Sequence, residues 1–269
     1  MNRGYYDPSH FKTRNYASHI MRSTTIMTFT LASLAMLLPL EAQDNNQAKK
    51  TPAQVTTRPA NATPEWLKKL SIEQQRQIQS LLRDAATYLN GIRVQEAFEK
   101  IIEAELMAPE YWAIHNLKGA AYTKIREFDK ATIAFTRALE LAPGSFSCRF
   151  NLIEMKFCKG NFVDAEREFR QLMGESTLTD ENKHLIHFKL LICRLKQNDE
   201  PAAKQILNDW DYLDDYPGFY FGNAAIHFSK AEDKEARKWL AAAKKIYNPA
   251  LISLYTDSLI ESGWIENFE

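Results

Sequence analysis

Glycine is scarce in this chain of 269 residues, with nine in all. That is too few for the tight turns of an all-β fold. Net charge is absent as well: 34 basic residues balance 34 acidic ones, so nothing draws the chain to nucleic acid or to an anionic membrane surface. There is no glycine-rich phosphate loop and no nucleophile elbow, and neither an HExxH pair nor a CxxC pair. The carboxylates are scattered along polar helix faces, and no two are singled out for acid–base work. Cysteine is limited to Cys148, Cys158 and Cys193. The first two fall on one predicted helix about 15 Å apart, too far to bridge. Two readings stay open: a Cys158–Cys193 disulfide, or three small buried hydrophobes. What remains is ordinary globular composition, 45% hydrophobic and 25% charged, in a chain long enough to bury a sizeable core.

The N-terminus is set apart. Residues 1–22 are polar and carry Arg3, Lys12, Arg14 and Arg22. An uncharged run follows from Ser23 to Leu40, and then Glu41, Ala42 and Gln43. A basic region, an apolar centre and a small residue before a polar start are the layout of a secretory signal. The expectation is a signal over 1–42, with translation starting at Met21, and export to the periplasm or outside the cell. The competing reading is an uncleaved membrane anchor, although the run is short for a bilayer and contains Pro39. Residues 43–63 are polar, lack aromatics and carry two prolines. They hold too little apolar surface to offset chain entropy, so a disordered linker is expected there. Asn61-Ala62-Thr63 matches a glycosylation acceptor, a motif too short to carry weight.

The rest of the chain is organised around residues 112–145. Gly119 and Tyr122 share a face three residues apart. After the break IREFD, Ala131, Phe135 and Ala138 form an apolar stripe at helical spacing, and Pro143-Gly144 stops it. The pattern G-x2-Y…A-x3-F-x2-A…P resembles the 34-residue tetratricopeptide repeat, with Leu117 displaced by one place and His115 where the family has tryptophan. Tyr88, Ala97, Ala104 and Pro109 hold the same places one repeat earlier, and Ser71 with Gln74 makes a capping box for the helix before them. Further on, Ala165 and Phe169 continue the register. Ala203 and Leu207 follow after a four-residue insertion, with Pro201 tolerated in a first turn. Ala236, Leu240 and Ala243 come last, and Asn248-Pro249 ends that repeat.

The resemblance covers about residues 78–250 and extends to a group of exported bacterial tetratricopeptide proteins. It implies an all-α fold, a right-handed α-solenoid of about five helical hairpins. The repeats fall at about 78–111, 112–145, 146–183, 184–216 and 217–250, with a C-terminal capping helix over 251–269, within a domain spanning 64–269. A cap is needed because each repeat leaves one apolar face open. The family binds proteins and peptides, so the implied function is a non-enzymatic scaffold with a protein or peptide partner, no nucleic acid and no cofactor. A membrane enters only if the N-terminal segment stays attached.

Family geometry turns the first helix of each repeat to the concave face. The positions implied to face a partner are Asn116, Lys124, Phe150, Glu154, Phe157, Phe188, Ile192, Phe221 and Phe228. The groove would be small and polar at its start and aromatic towards its end, fit for a partner helix or extended peptide. The opposing reading packs the same aromatics between helices or under the C-terminal helix. A terminal-carboxylate clamp is incomplete: Asn116 and Asn151 are present, but the companion positions hold Ala120, Leu185 and Lys189. Residues 208–221 mix aspartates with Trp210, Tyr212 and Tyr216. They read as an accessory contact loop or as a helix end whose aromatics tuck back, and their spacing matches no calcium loop. His184 and His187 share a helix face and could begin a metal site, which would need a third ligand.

Overall fold

The computed structural model describes residues 69–175, 178–211 and 214–266. The expected signal, the linker, Tyr212 and the last three residues lie outside them. Among the described residues the structure is helical throughout: α1 (Ile72–Asn90), α2 (Val94–Met107), α3 (Trp112–Lys124), α4 (Phe128–Leu141), α5 (Phe146–Cys158), α6 (Phe162–Met173), α7 (Asp180–Lys196), α8 (Glu200–Leu207), α9 (Gly218–Ser229), α10 (Asp233–Ile246) and α11 (Pro249–Glu261). Consecutive helices pack as antiparallel hairpins, and the hairpins stack into an α-solenoid. The capping box forms as expected: the Ser71 N–H donates to Gln74 Oε1 at 2.8 Å, and the Gln74 N–H donates to Ser71 Oγ at 3.2 Å.

The turns inside the five hairpins are built alike. The N–H of Arg93 donates to the carbonyl of Tyr88 (2.8 Å), Glu127 to Tyr122 (3.0 Å), Asn161 to Lys156 (2.9 Å), Asp199 to Arg194 (2.9 Å) and Glu232 to His227 (3.0 Å). The residue just before each donor is left-handed: Ile92, Arg126, Gly160, Asn198 and Ala231 have φ between 59° and 80°. This is the Schellman helix stop, which satisfies the last carbonyls of the first helix and turns the chain into the second. Only one of the five positions is glycine, so the other four hold a side chain where left-handed backbone is disfavoured by about 1–2 kcal/mol. Positions 92, 126, 160, 198 and 231 stand 34, 34, 38 and 33 residues apart. These are the same intervals that separate Ala97, Ala131, Ala165, Ala203 and Ala236 in the sequence.

Those five alanines are fully buried, because the two helices of each hairpin approach too closely there for a larger side chain. Gly119 marks the tightest approach. A Cβ on it would lie 2.5 Å from the ring of Phe135, so the second hairpin closes on hydrogen at one helix and phenyl at the other.

The core is in three pieces. One joins α1, α2 and α3 and is mostly alanine and leucine. A small seam of Ala131, Phe135 and Met155, edged by Tyr122, Phe128 and Leu152, carries packing from the second hairpin to the third. The largest piece runs through hairpins three to five and includes Ile252, Tyr255 and Leu259 of α11. That helix starts on the Asn248 side chain, which accepts from the Leu251 N–H at 2.9 Å. It covers the last hairpin as a cap does, packing on α9 and α10, and it also reaches back to α7.

Candidate functional site

The backward reach of α11 crosses the side of the stack made by the first helices. Tyr255 stacks near Phe188 of α7 and Phe221 of α9, with ring centroids 5.0 and 5.4 Å away. Nearly two turns further, Glu261 enters a cluster of buried charges drawn from three first helices. Lys189 Nζ of α7 donates to Glu261 Oε2 at 2.6 Å and pairs with Glu154 Oε1 of α5 at 2.7 Å. Its side chain is 2% exposed, and Nζ sits 4.5 Å above the Phe157 ring. Lys124 of α3 faces Asp257 and Glu261 from the other end. Cys158 adjoins the same charges.

Three carboxylates and two ammonium groups share this space, so full ionisation would leave an excess negative charge out of water. The protonation states respond accordingly. Burial raises the Asp257 carboxyl well above its ordinary range, with Glu261 adding to the rise. Burial also pushes Glu261 up to about 7, although Lys189 works against it. Burial draws the Lys124 ammonium down to about 8 against the pull of Asp257 and Glu261. Burial opposes the charge on Lys189 too, but Glu154 and Glu261 outweigh it and its pKa rises. With the proton held on Asp257 the cluster is neutral. Such a buried network adds little stability compared with apolar packing, yet breaking it from one side is expensive.

The structure brings together two residues read as groove-facing, Lys124 and Glu154, and joins them to Lys189, Asp257 and Glu261. It corrects the open aromatic groove. Phe150, Phe157, Phe188, Ile192, Phe221 and Phe228 are all buried. Phe150 packs between Phe146 and Phe169, and Phe157 meets Phe162 edge-on. Phe188 and Phe221 lie beneath α11. The opposing reading, with these rings between helices and under the C-terminal helix, is what the chain adopts. Asn116 is spent on a neighbour: Asn151 Nδ2 donates to its Oδ1 at 2.9 Å, both residues being buried. That bond ties the second hairpin to the third.

Trp210 also tucks back. It is 6% exposed and lies flat against α9 where Gly218 and Gly222 leave room; a Cβ on Gly218 would be 2.9 Å from the indole. Tyr216 stacks on His184 at 4.4 Å, and His187 tilts towards Trp210 at 6.3 Å. Burial lowers the pKa of both histidines. Among the described residues, no three His, Cys, Asp or Glu side chains are placed to hold a metal ion. All three cysteines are free thiols, which replaces the Cys158–Cys193 pairing: Cys158 faces Glu261 and Glu154, whereas Cys193 faces Glu166. Burial pushes the Cys193 thiol up to about 12, so it is inert as a nucleophile. Glu166, itself buried, is tied to the more exposed Arg194 at 2.6 Å and Arg170 at 2.8 Å, and the Arg194 pair joins α6 to α7.

Sequence reading missed Asp257, Glu261 and Tyr255 as a set. A signal was present: charged residues interrupt apolar stretches in HLIHFKLLICRL and LISLYTDSLIESGW, and their signs are opposite.

A solved structure carries the comparison. A tetratricopeptide repeat protein from Parabacteroides merdae matches with a TM-score of 0.54 and 18% identity, over 68% of this chain and 71% of that one. The fold is that of a tetratricopeptide repeat protein. No family model and no curated protein matches the sequence. The tetratricopeptide likeness therefore rests on helix order, the five equal turns and this structural neighbour.

Proposed function

We propose that this protein is a non-enzymatic scaffold that binds a protein or peptide partner along the first-helix face of its repeats. The observation that supports this reading is the continuity of that face. Five hairpins set α1 beside α3 and α7 beside α9, Asn116 of α3 meets Asn151 of α5, Glu154 of α5 meets Lys189 of α7, and a helix already lies across part of this face. Extended or helical segments bind such surfaces through side chains at regular intervals. The test is cross-linking in the native host, with the linked lysines mapped by mass spectrometry. Partner links on Lys118 and Lys183, which lie on first helices, are expected. Links confined to Lys234, Lys238, Lys244 and Lys245 of α10 would contradict the reading.

Export is part of the proposal. It is supported by the basic segment, the apolar run and Ala42 in the sequence. Protein recovered from its host should begin at Gln43. A chain beginning at Met1 or Met21 would mean an anchored assembly factor in the cell envelope instead.

A further inference from the structure

We infer that α11 is a stand-in for the partner: it occupies the partner's seat, and the partner presents an amphipathic helix with an aromatic residue followed by carboxylates two and six positions later. This rests on the scaffold reading above and names the seat and the chemistry that fills it. The spacing is that of Tyr255, Asp257 and Glu261. On the seat, Phe188 and Phe221 receive the aromatic ring, and Lys124 and Lys189 receive the carboxylates.

Three features set α11 apart from a helix built only for stability. First, it docks through buried ion pairs of Lys189 with Glu154 and Glu261, where apolar side chains would hold more firmly. Second, its own fit is incomplete: Tyr255 Oη and Asp257 Oδ1 are enclosed and have no hydrogen-bond partner. An unmade bond of this kind weakens the seating of α11. A partner helix that leaves no such atom unpaired escapes that penalty. Third, only Tyr247 and Asn248 separate α11 from α10. Asn248 caps α11 with its own side chain, so the helix can swing out as a unit and keep its capped end. A tethered helix competes with a free one as though present at about millimolar concentration, so release of α11 is the step that admits the partner.

The test uses the full chain and a fluorescent synthetic peptide of residues 248–266 as probe. The full-length Tyr255→Ala/Glu261→Gln variant loosens α11 in place, and hydrogen exchange checks that α7 and α9 stay protected. The peptide is expected to bind the variant at least about tenfold tighter than wild type, because wild type already fills the seat. A peptide carrying the same two changes should lose that binding. Equal affinity for wild type and variant would overturn the inference, as would no binding to a variant whose α7 and α9 remain protected. A concentration-dependent dimer that exchanges α11 between copies would overturn it in favour of a second copy. If the variant fails to fold, hydrogen exchange on wild type decides. The α11 amides are expected to exchange about tenfold faster than those of α7 and α9, and exchange in step with them contradicts the proposal. Host cross-links on the first helices that are unchanged by loosening α11 would leave the scaffold standing and remove this inference alone.

Discussion

The first two hairpins and the last three use the same backbone for different ends. In the first two, alanine and glycine let the helices close tightly, Gly119 against Phe135 being the extreme. The bonds across to the third hairpin include a pair of buried amides, Asn151 to Asn116, and an exposed ion pair, Lys159 to Asp129. In the last three, phenylalanines fill the seams, the spacing slips to 38 and then 33 residues, and a helix from the C-terminus folds back over buried charge. The regular half is where the fold is specified. The irregular half spends ion pairs and unsatisfied polar atoms on seating one helix, which stability alone does not require. Regular repeats hold the frame, and the departures from regularity seat the C-terminal helix.

The sharpest break in that contrast comes from Ala131→Glu, which forces a charge into the fully buried seam of the second hairpin. It should cost 3 kcal/mol or more, of the order ~3–5 kcal/mol for an uncompensated buried charge. Urea unfolding should then show the first two hairpins melting ahead of the rest, as nearest-neighbour stacking permits. Lys189→Met comes next. It leaves Glu154 and Glu261 facing each other without their cation and should cost about 3 kcal/mol, read as loss of α11 protection in hydrogen exchange with α1 to α4 unchanged. The double variant Lys189→Met/Glu261→Met should lose less than the single one, because it removes the stranded charge as well.

How far the fold could be read from the sequence follows from the same contrast. Small residues at fixed intervals are a steric necessity of close helix pairs, so Ala97, Ala131, Ala165, Ala203 and Ala236 announced the hairpins and even the four-residue insertion. The groove was harder. Family geometry placed Phe157, Phe188, Phe221 and Phe228 on the inward side, but a pattern of apolar residues does not say whether water or another helix lies over them. Asp257 and Glu261 answer that question here. They are far in sequence from Lys124, Glu154 and Lys189, and only the backward course of α11 makes them neighbours. The left-handed turns were also hidden, since Ile92, Arg126 and Ala231 give no local sign that their φ is positive.

pH offers a gentler probe of the buried charges beneath α11. Glu261 sits among Lys124 of α3, Glu154 and Cys158 of α5, Lys189 of α7 and Asp257 of its own helix. Its folded pKa of about 7 lies above the ordinary 4.5. Between those values the unfolded chain binds fewer protons, so stability falls as pH rises through that window. Lys124, drawn down from 10.5 to about 8, acts in the opposite sense: stability recovers as pH rises from about 8 towards 10.5. Protection of α11 should therefore be greater at pH 5.5 than at pH 7.5, with its minimum between 7 and 8. Protection of α1 and α2, which contribute nothing to the cluster, should barely move. The smallest expected effect is Ala231→Gly in the last hairpin turn, where φ is 59°. Relief of left-handed strain, partly offset by added chain freedom, should raise stability by about 0.5–1 kcal/mol, and a higher urea midpoint with unchanged slope would show it.

The central claim is that the C-terminal helix lies across the first helices and does more than close the end of the stack. The most direct measurement is a set of nuclear Overhauser contacts from the Tyr255 ring in the full-length protein. Cross-peaks from Tyr255 to the rings of both Phe188 and Phe221 are predicted, in keeping with centroid distances of 5.0 and 5.4 Å. Contacts from α11 to α10 alone, with none to Phe188, would contradict the account.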